Sequence, residues 1–171
     1  MAVWRYKGEF IPRLWLIEQH KDIPLFLDNY LLTDETVVEE IDAPNYWHNR
    51  IIPSDFVERV TAILPQRKSW SENAIMFGDE RGNDLAIWSG DGLINSVDFR
   101  WDLRQPDLGI LNHIIALANH LDAYVISGDR ASIVEPNVDL VLADIKKSSA
   151  YRFCQNPLAF IEAISQNSKK A

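Results

Sequence analysis

Asp98, Arg100, Asp102 and Arg104 alternate over seven residues, and on a strand alternate side chains project the same way at a spacing of about 6.6 Å. That arrangement can place a carboxylate as a base and a guanidinium as a clamp for a substrate carboxylate or phosphate. The same spacing equally lets each Asp neutralise its neighbouring Arg. Trp88, on the preceding strand, falls on the same face as this row, and a Trp beside Arg and Asp is the composition that interface hot spots favour.

A second group is Trp47, His48 and Arg50, in a stretch bracketed by Pro44 and Pro53 through which no period runs. These residues read as a loop whose aromatic, imidazole and guanidinium groups could bind a polar partner or simply cover a core. His113 and His120 suggest a metal, but seven residues of helix separate them by about 10 Å along the axis, whereas chelation from one helix needs neighbours three or four apart. No metal site and no cofactor are expected. Cys154 is the single cysteine, so the chain closes no internal disulfide and builds no thiolate cage; it reads as a small buried hydrophobe beside Phe153.

The elements that must position these groups begin with residues 74–104, an antiparallel meander of strands 74–79, 84–89 and 93–103. In the last strand Leu93, Val97, Phe99, Trp101 and Leu103 fall on one parity and the charged residues on the other, which is the period of a half-buried strand. A three-residue loop ending at a left-handed Gly82 aligns Phe77 with Leu85. A three-residue loop ending at Gly92 places Leu85 opposite Val97, where a two-residue Asp91-Gly92 loop would bring Ala86 and Trp88 beside Val97 and Asn95. The three-residue register gathers more aliphatic area and is preferred, so that Phe77, Leu85 and Val97 form one core row. The opposite face then carries Ala74, Met76, Ala86, Trp88 and Ile94 as an apolar half and Asp84, Asp98, Arg100, Asp102 and Arg104 as a charged half.

Around the meander, Val3–Lys7 reads as a short strand with Leu14–Glu18 returning as its partner. Asp22 caps a helix through Ile23, Phe26, Leu27, Tyr30 and Leu31. Asp34, Glu35, Glu39, Glu40 and Asp42 form the most acidic stretch, without the alternating ligands and glycine bend of a calcium loop. Ser54 caps a helix bearing Phe56, Val57, Val60, Ile63 and Leu64, and Trp70 in the following link should pack on the sheet. A helix from Pro106-Asp107 to about Leu121 buries Leu108, Leu111, Ile114, Ile115 and Ala118. A hairpin joins 123–126 to 132–135, Pro136-Asn137 starts a further helix, and Asn156-Pro157 starts the last, before a frayed tail at 165–171.

Hairpins of strands followed by blocks of helices predict an α+β fold, an antiparallel sheet of five or more strands with helices packed mainly on one face, in a single domain over 1–171. Seventeen Lys and Arg stand against 25 Asp and Glu, a formal charge of −8, which opposes nucleic acid and acidic membranes and suits a basic protein partner. No apolar run approaches the roughly 18 residues of a membrane span, and Met1–Phe10 lacks the apolar core of an export signal, so a cytoplasmic protein is expected. No glycine-rich phosphate loop, dinucleotide fingerprint, Gly-x-Ser-x-Gly elbow or His-Glu-x-x-His pair occurs. Two functional readings remain. The first is a non-catalytic protein-interaction module, regulator- or immunity-like, that uses the Trp88–Arg104 face and the aromatic loop. The second is a small-ligand binder or enzyme using the same Asp and Arg residues, and a homodimer through Trp88 and Ile94 is a third arrangement.

Overall fold

The computed structural model describes residues 4–27 and 45–159. The acidic stretch at 34–42, the end of the helix expected from Asp22 and the tail at 165–171 lie outside them. Seven strands, β1 (Arg5–Pro12), β2 (Gln66–Arg67), β3 (Ala74–Gly78), β4 (Asp84–Gly90), β5 (Leu93–Asp102), β6 (Ala123–Ser127) and β7 (Ile133–Val134), form one antiparallel sheet in the order β2-β3-β4-β5-β1-β6-β7. The helices are α1 (Arg13–His20), α2 (Phe56–Thr61), α3 (Leu108–His120), α4 (Val138–Ile145) and α5 (Ser149–Gln155), and a further helical stretch begins at 157. The fold is α+β, and the seven-stranded sheet meets the expectation of five or more strands.

β1 sits in the middle of the sheet because it pairs on both sides. Gly8 faces Phe99 of β5 and Ser127 of β6. The Phe99 ring lies over Gly8 so closely that a Cβ there would come within 2.5 Å of Phe99 Cζ, so the absent side chain is what seats the ring. Tyr6 and Phe10 flank the same ring at centroid distances of 6.3 and 5.4 Å. On this inner face Phe77, Leu85, Ile87, Val97 and Val125 join Phe56 and Val60 of α2, Leu111, Ile114 and Ile115 of α3 and Val141 and Ile145 of α4 in one core.

The meander keeps the expected faces but not the expected register. Phe77 pairs with Leu85 and Ile75 with Ile87, as read from the sequence. Leu85, however, faces Phe99, and it is Ile87 that faces Val97, two residues away from the expected alignment. Asp91 (φ 52°) and Gly92 (φ 77°) make a two-residue turn closed by Gly90 and Leu93, the type I′ geometry whose twist suits a hairpin. That turn alone would put Trp88 beside Asn95 on the wrong parity. A bulge restores it: Ser89 faces Ile94 while Trp88 faces Ser96, and Asn95 is the extra residue between them. The first turn does leave three residues between Asp79 and Asn83, but Gly82 is not the left-handed residue; Gly78 is, at φ 77°. The turn is held by the Asp79 side chain, which accepts from the Arg81 N–H at 2.9 Å.

Other expectations need correction. Residues 14–18 are not a returning strand but part of α1, which leaves β1 directly; Leu16 turns into the core and Arg13 is tied to Asp122 at 2.9 Å. Asp22 caps no helix, since residues 23–27 are non-helical and Phe26 forms a bridge with Ser132 beside β7. Ser54 does not cap α2; the residue at the capping position is Asp55, which makes no side-chain cap bond. Leu108, expected inside, is 54% exposed. The remaining caps hold: Asp107 accepts from Ile110, Asn137 from Asp139 and Leu140, and Asn156 from Ala159. α5 was not foreseen, and Cys154 lies on it, partly exposed, with Sγ 4.0 Å from the Trp4 carbonyl.

Candidate functional site

The alternation of β1, β4 and β5 sends Arg5, Lys7, Asp84, Asp98 and Arg100 to the outer face, and Arg67 of β2 joins them opposite Met76. Asp84, 3% exposed, is the centre. Arg100 faces it across the strands and grips both oxygens, Nε at 2.7 Å from Oδ1 and the terminal nitrogen on Oδ2. Two more guanidiniums approach the same Oδ2, Arg5 at 3.9 Å and Arg67 at 3.8 Å. Burial raises the Asp84 carboxyl above its ordinary value, and the three arginines, Arg100 foremost, pull against that rise. The same burial holds the Arg5 guanidinium below its ordinary value, with Arg100 adding repulsion.

Asp98 lies one alternate position from Arg100 and faces Glu9 across β1. Desolvation raises its carboxyl to about 6 against the charge of Arg100, with Asp84 repelling it and the Trp88 indole donating to it. Trp88 is half-buried, and Trp70, 72% exposed, meets its ring edge-on at 5.5 Å. Trp70 therefore packs on the sheet as expected, against the outer face. Among the described residues, every hydrogen bond, ion pair and ring contact of Trp88, Asp98, Arg100, Arg5 and Arg67 goes to a strand or to a loop between strands, and none to a helix.

Asp102 faces Arg5 at the edge of this group but is bound by Arg104. Arg104 closes on Asp102 from two residues away at 2.7 Å, donates to the Arg81 carbonyl and lies over the Trp4 ring at 4.4 Å. The Arg104 bonds hold the Asp102 carboxyl below its ordinary range. The aromatic loop separates from the face by role. Trp47 is 3% exposed and donates its indole N–H to the Phe10 carbonyl at 3.1 Å, while Tyr46 packs on Trp15 at 4.6 Å. Arg50 is occupied by Glu18 at 2.5 Å and by the His48 carbonyl at 3.0 Å, leaving His48 exposed. This loop covers a core, and Asn45 joins it to the bulge residue Asn95 at 3.0 Å.

Sequence reasoning missed Arg5, Arg67 and Glu9. Arg5 and Glu9 were legible only as members of a strand whose alternation is broken by Gly8 and by apolar residues on both faces. Arg67 stands on a two-residue strand with no period at all. It also missed a buried network at the other end of the sheet. Asp144 of α4 accepts from Tyr6 at 2.9 Å, Ser132 at 2.7 Å and Arg130 at 3.1 Å. Asp129 likewise ties Ser127 to the start of α5 through Ser149. His120 binds Asp55 at 3.0 Å and so links α3 to α2.

Among the described residues no group of three or more His, Cys, Asp or Glu side chains is placed to hold a metal, and no helix is long and apolar enough to cross a membrane. No protein-family model, curated protein or solved structure matches this chain.

Proposed function

We propose that this is a cytoplasmic, non-catalytic protein-interaction module, regulator- or immunity-like, whose recognition surface is the outer face of β3, β4 and β5. One observation carries the reading. Trp70 stands 72% exposed on the half-buried Trp88, whose indole donates to Asp98, the neighbour of Arg100 on the same face. A large exposed aromatic on a rigid strand platform loses little freedom on binding, and aromatic and Arg side chains dominate measured hot spots. The net charge of −8 favours a partner of net positive charge in long-range encounter.

Catalysis by the same residues has one feature in its favour, the raised carboxyl of Asp98. Against it, Asp84 is held by Arg100 and Asp102 by Arg104, and Asp98 already accepts from Trp88, so the carboxylates are engaged within the protein. Binding is the better fit. Affinity capture from the native host with wild type and Trp70→Ala tests it. A stoichiometric protein retained by the first and lost by the second is the expected result. Equal retention by both, or recovery only of a second copy of this chain at twice the monomer mass in sedimentation, would defeat it.

A further inference from the structure

We infer that Arg67, with Arg100 beside it, is a receptor for a single carboxylate supplied by an Asp or Glu side chain of a protein bound to the outer face; the inference rests on reading that face as a recognition surface. The three guanidiniums around Asp84 are not equally served. Arg100 takes both carboxylate oxygens, and Arg5 donates to the Glu80 carbonyl. Arg67 stands 3.8 Å from Asp84 Oδ2 and 3.9 Å from Glu80 Oε2, both beyond hydrogen-bonding range, and it makes no hydrogen bond among the described residues. Its side chain is 23% exposed and its Nε is buried without a partner.

The terminal nitrogens of Arg67 therefore reach solvent without a hydrogen bond among the described residues, and a planar carboxylate meeting them through two parallel N–H bonds is the matching acceptor. Charge selects a monoanion. Asp84 is shared among three cations, while Glu80, 70% exposed, only partly offsets Arg67 from the rim. A dianionic phosphate would in addition meet the charges of Asp84 and Asp98. Position selects a side chain next to an apolar one: Arg67 pairs with Met76, one alternate position, or about 7 Å, from the Ala74–Trp88 pair that supports Trp70.

The test follows the arginine Nε–Hε signals of the full chain by NMR during titration with sodium acetate or inorganic phosphate at constant ionic strength. Arg67→Met keeps the aliphatic stem, and its folding is checked by the urea midpoint. Acetate should give a saturable shift at Arg67 and Arg100 that Arg67→Met loses, with phosphate binding no tighter than acetate. Absence of saturation, an unchanged response in Arg67→Met or tighter phosphate binding overturns the receptor. In partner capture, Arg67→Met should retain at least about tenfold less protein than wild type. Wild-type capture by Arg67→Met, with loss in Trp70→Ala, sinks the receptor and leaves the recognition surface standing. Saturable acetate binding with no captured protein keeps the arginine receptor and overturns a protein as its source.

Discussion

Glu9 and Asp98 stand directly opposite each other across β1 and β5, so two carboxyl groups share the outer face where Cβ atoms of paired residues are about 5 Å apart. Asp98 is also faced by Asp84, Arg100 and Trp88, and desolvation leaves its carboxyl at about 6. A carboxyl whose folded value exceeds its unfolded value near 3.9 binds a proton more readily when folded. Its burial penalty is therefore complete above pH 6 and is relieved as pH falls from 6 towards 4. Asp98→Asn should remove that dependence. Urea unfolding of the two proteins should show wild type gaining about 1–2 kcal/mol on the variant between pH 7.5 and pH 4.5. Parallel pH profiles would show that Asp98 titrates as an ordinary surface residue.

Gly78 and Gly82 separate the two ways a turn can use glycine. At Gly78 φ is 77°, and an added Cβ would lie 2.3 Å from the Asn83 carbonyl oxygen, a backbone atom that cannot step aside. At Gly82 the φ is ordinary and the nearest contact, the Asp79 side chain, is at 3.6 Å. Gly78→Ala should cost about 2–4 kcal/mol, while Gly82→Ala stays within about 1 kcal/mol of wild type. Similar unfolding midpoints for the two variants would return the turn to the geometry in which Gly82 is left-handed.

These two glycines show where sequence pattern stops. Alternation from Val97 to Leu103 reports which side chains share a face, because a strand repeats every two residues, and that much was legible. It cannot report a register shifted by two, since Val97 and Phe99 look the same to a parity rule. Nor can it tell a three-residue loop from a two-residue turn followed by a bulge, because both restore the same face to Leu85 and Ile87. Trp88, Asp98 and Arg100 were found because they belong to the long, regular strands. Arg5, Arg67 and Glu9 reach them from a short strand and from one buried on both faces, where pairing in space and not local period brings them together. Trp47 resembled a recognition residue in composition, and only its bond to Phe10 shows it to be cover for a core.

Tyr6 and Asp144 join β1 to α4 through a bond of 2.9 Å, and burial followed by the charge of Asp144 lifts the phenol well above its ordinary value. Tyr6→Phe deletes one of three donors to a buried carboxylate and should cost about 2 kcal/mol in urea unfolding. Because the folded phenol resists ionisation while the unfolded one does not, wild type loses stability as pH rises above about 10. The variant should lack that contribution. A variant as stable as wild type at pH 7, with the same alkaline slope, would leave Asp144 served by Ser132 and Arg130 alone.

Asp84 and Arg100 should prove coupled far more strongly than a surface pair. Asp84→Asn leaves three guanidiniums crowded about a neutral amide and is expected to cost about 3–5 kcal/mol, the range seen when one partner of a buried pair is removed. Arg100→Gln should cost less, because Arg5 and Arg67 still oppose the Asp84 charge from 3.9 and 3.8 Å. Combining the two substitutions removes one charge of each sign, so the double variant should be less destabilised than the sum of the singles by about 2 kcal/mol or more. The urea midpoints of the four proteins give that coupling directly. Simple additivity would mean that Asp84 is held by the cluster as a whole, with no privileged bond to Arg100, and Arg67 would then be one of its working partners instead of the arginine left open.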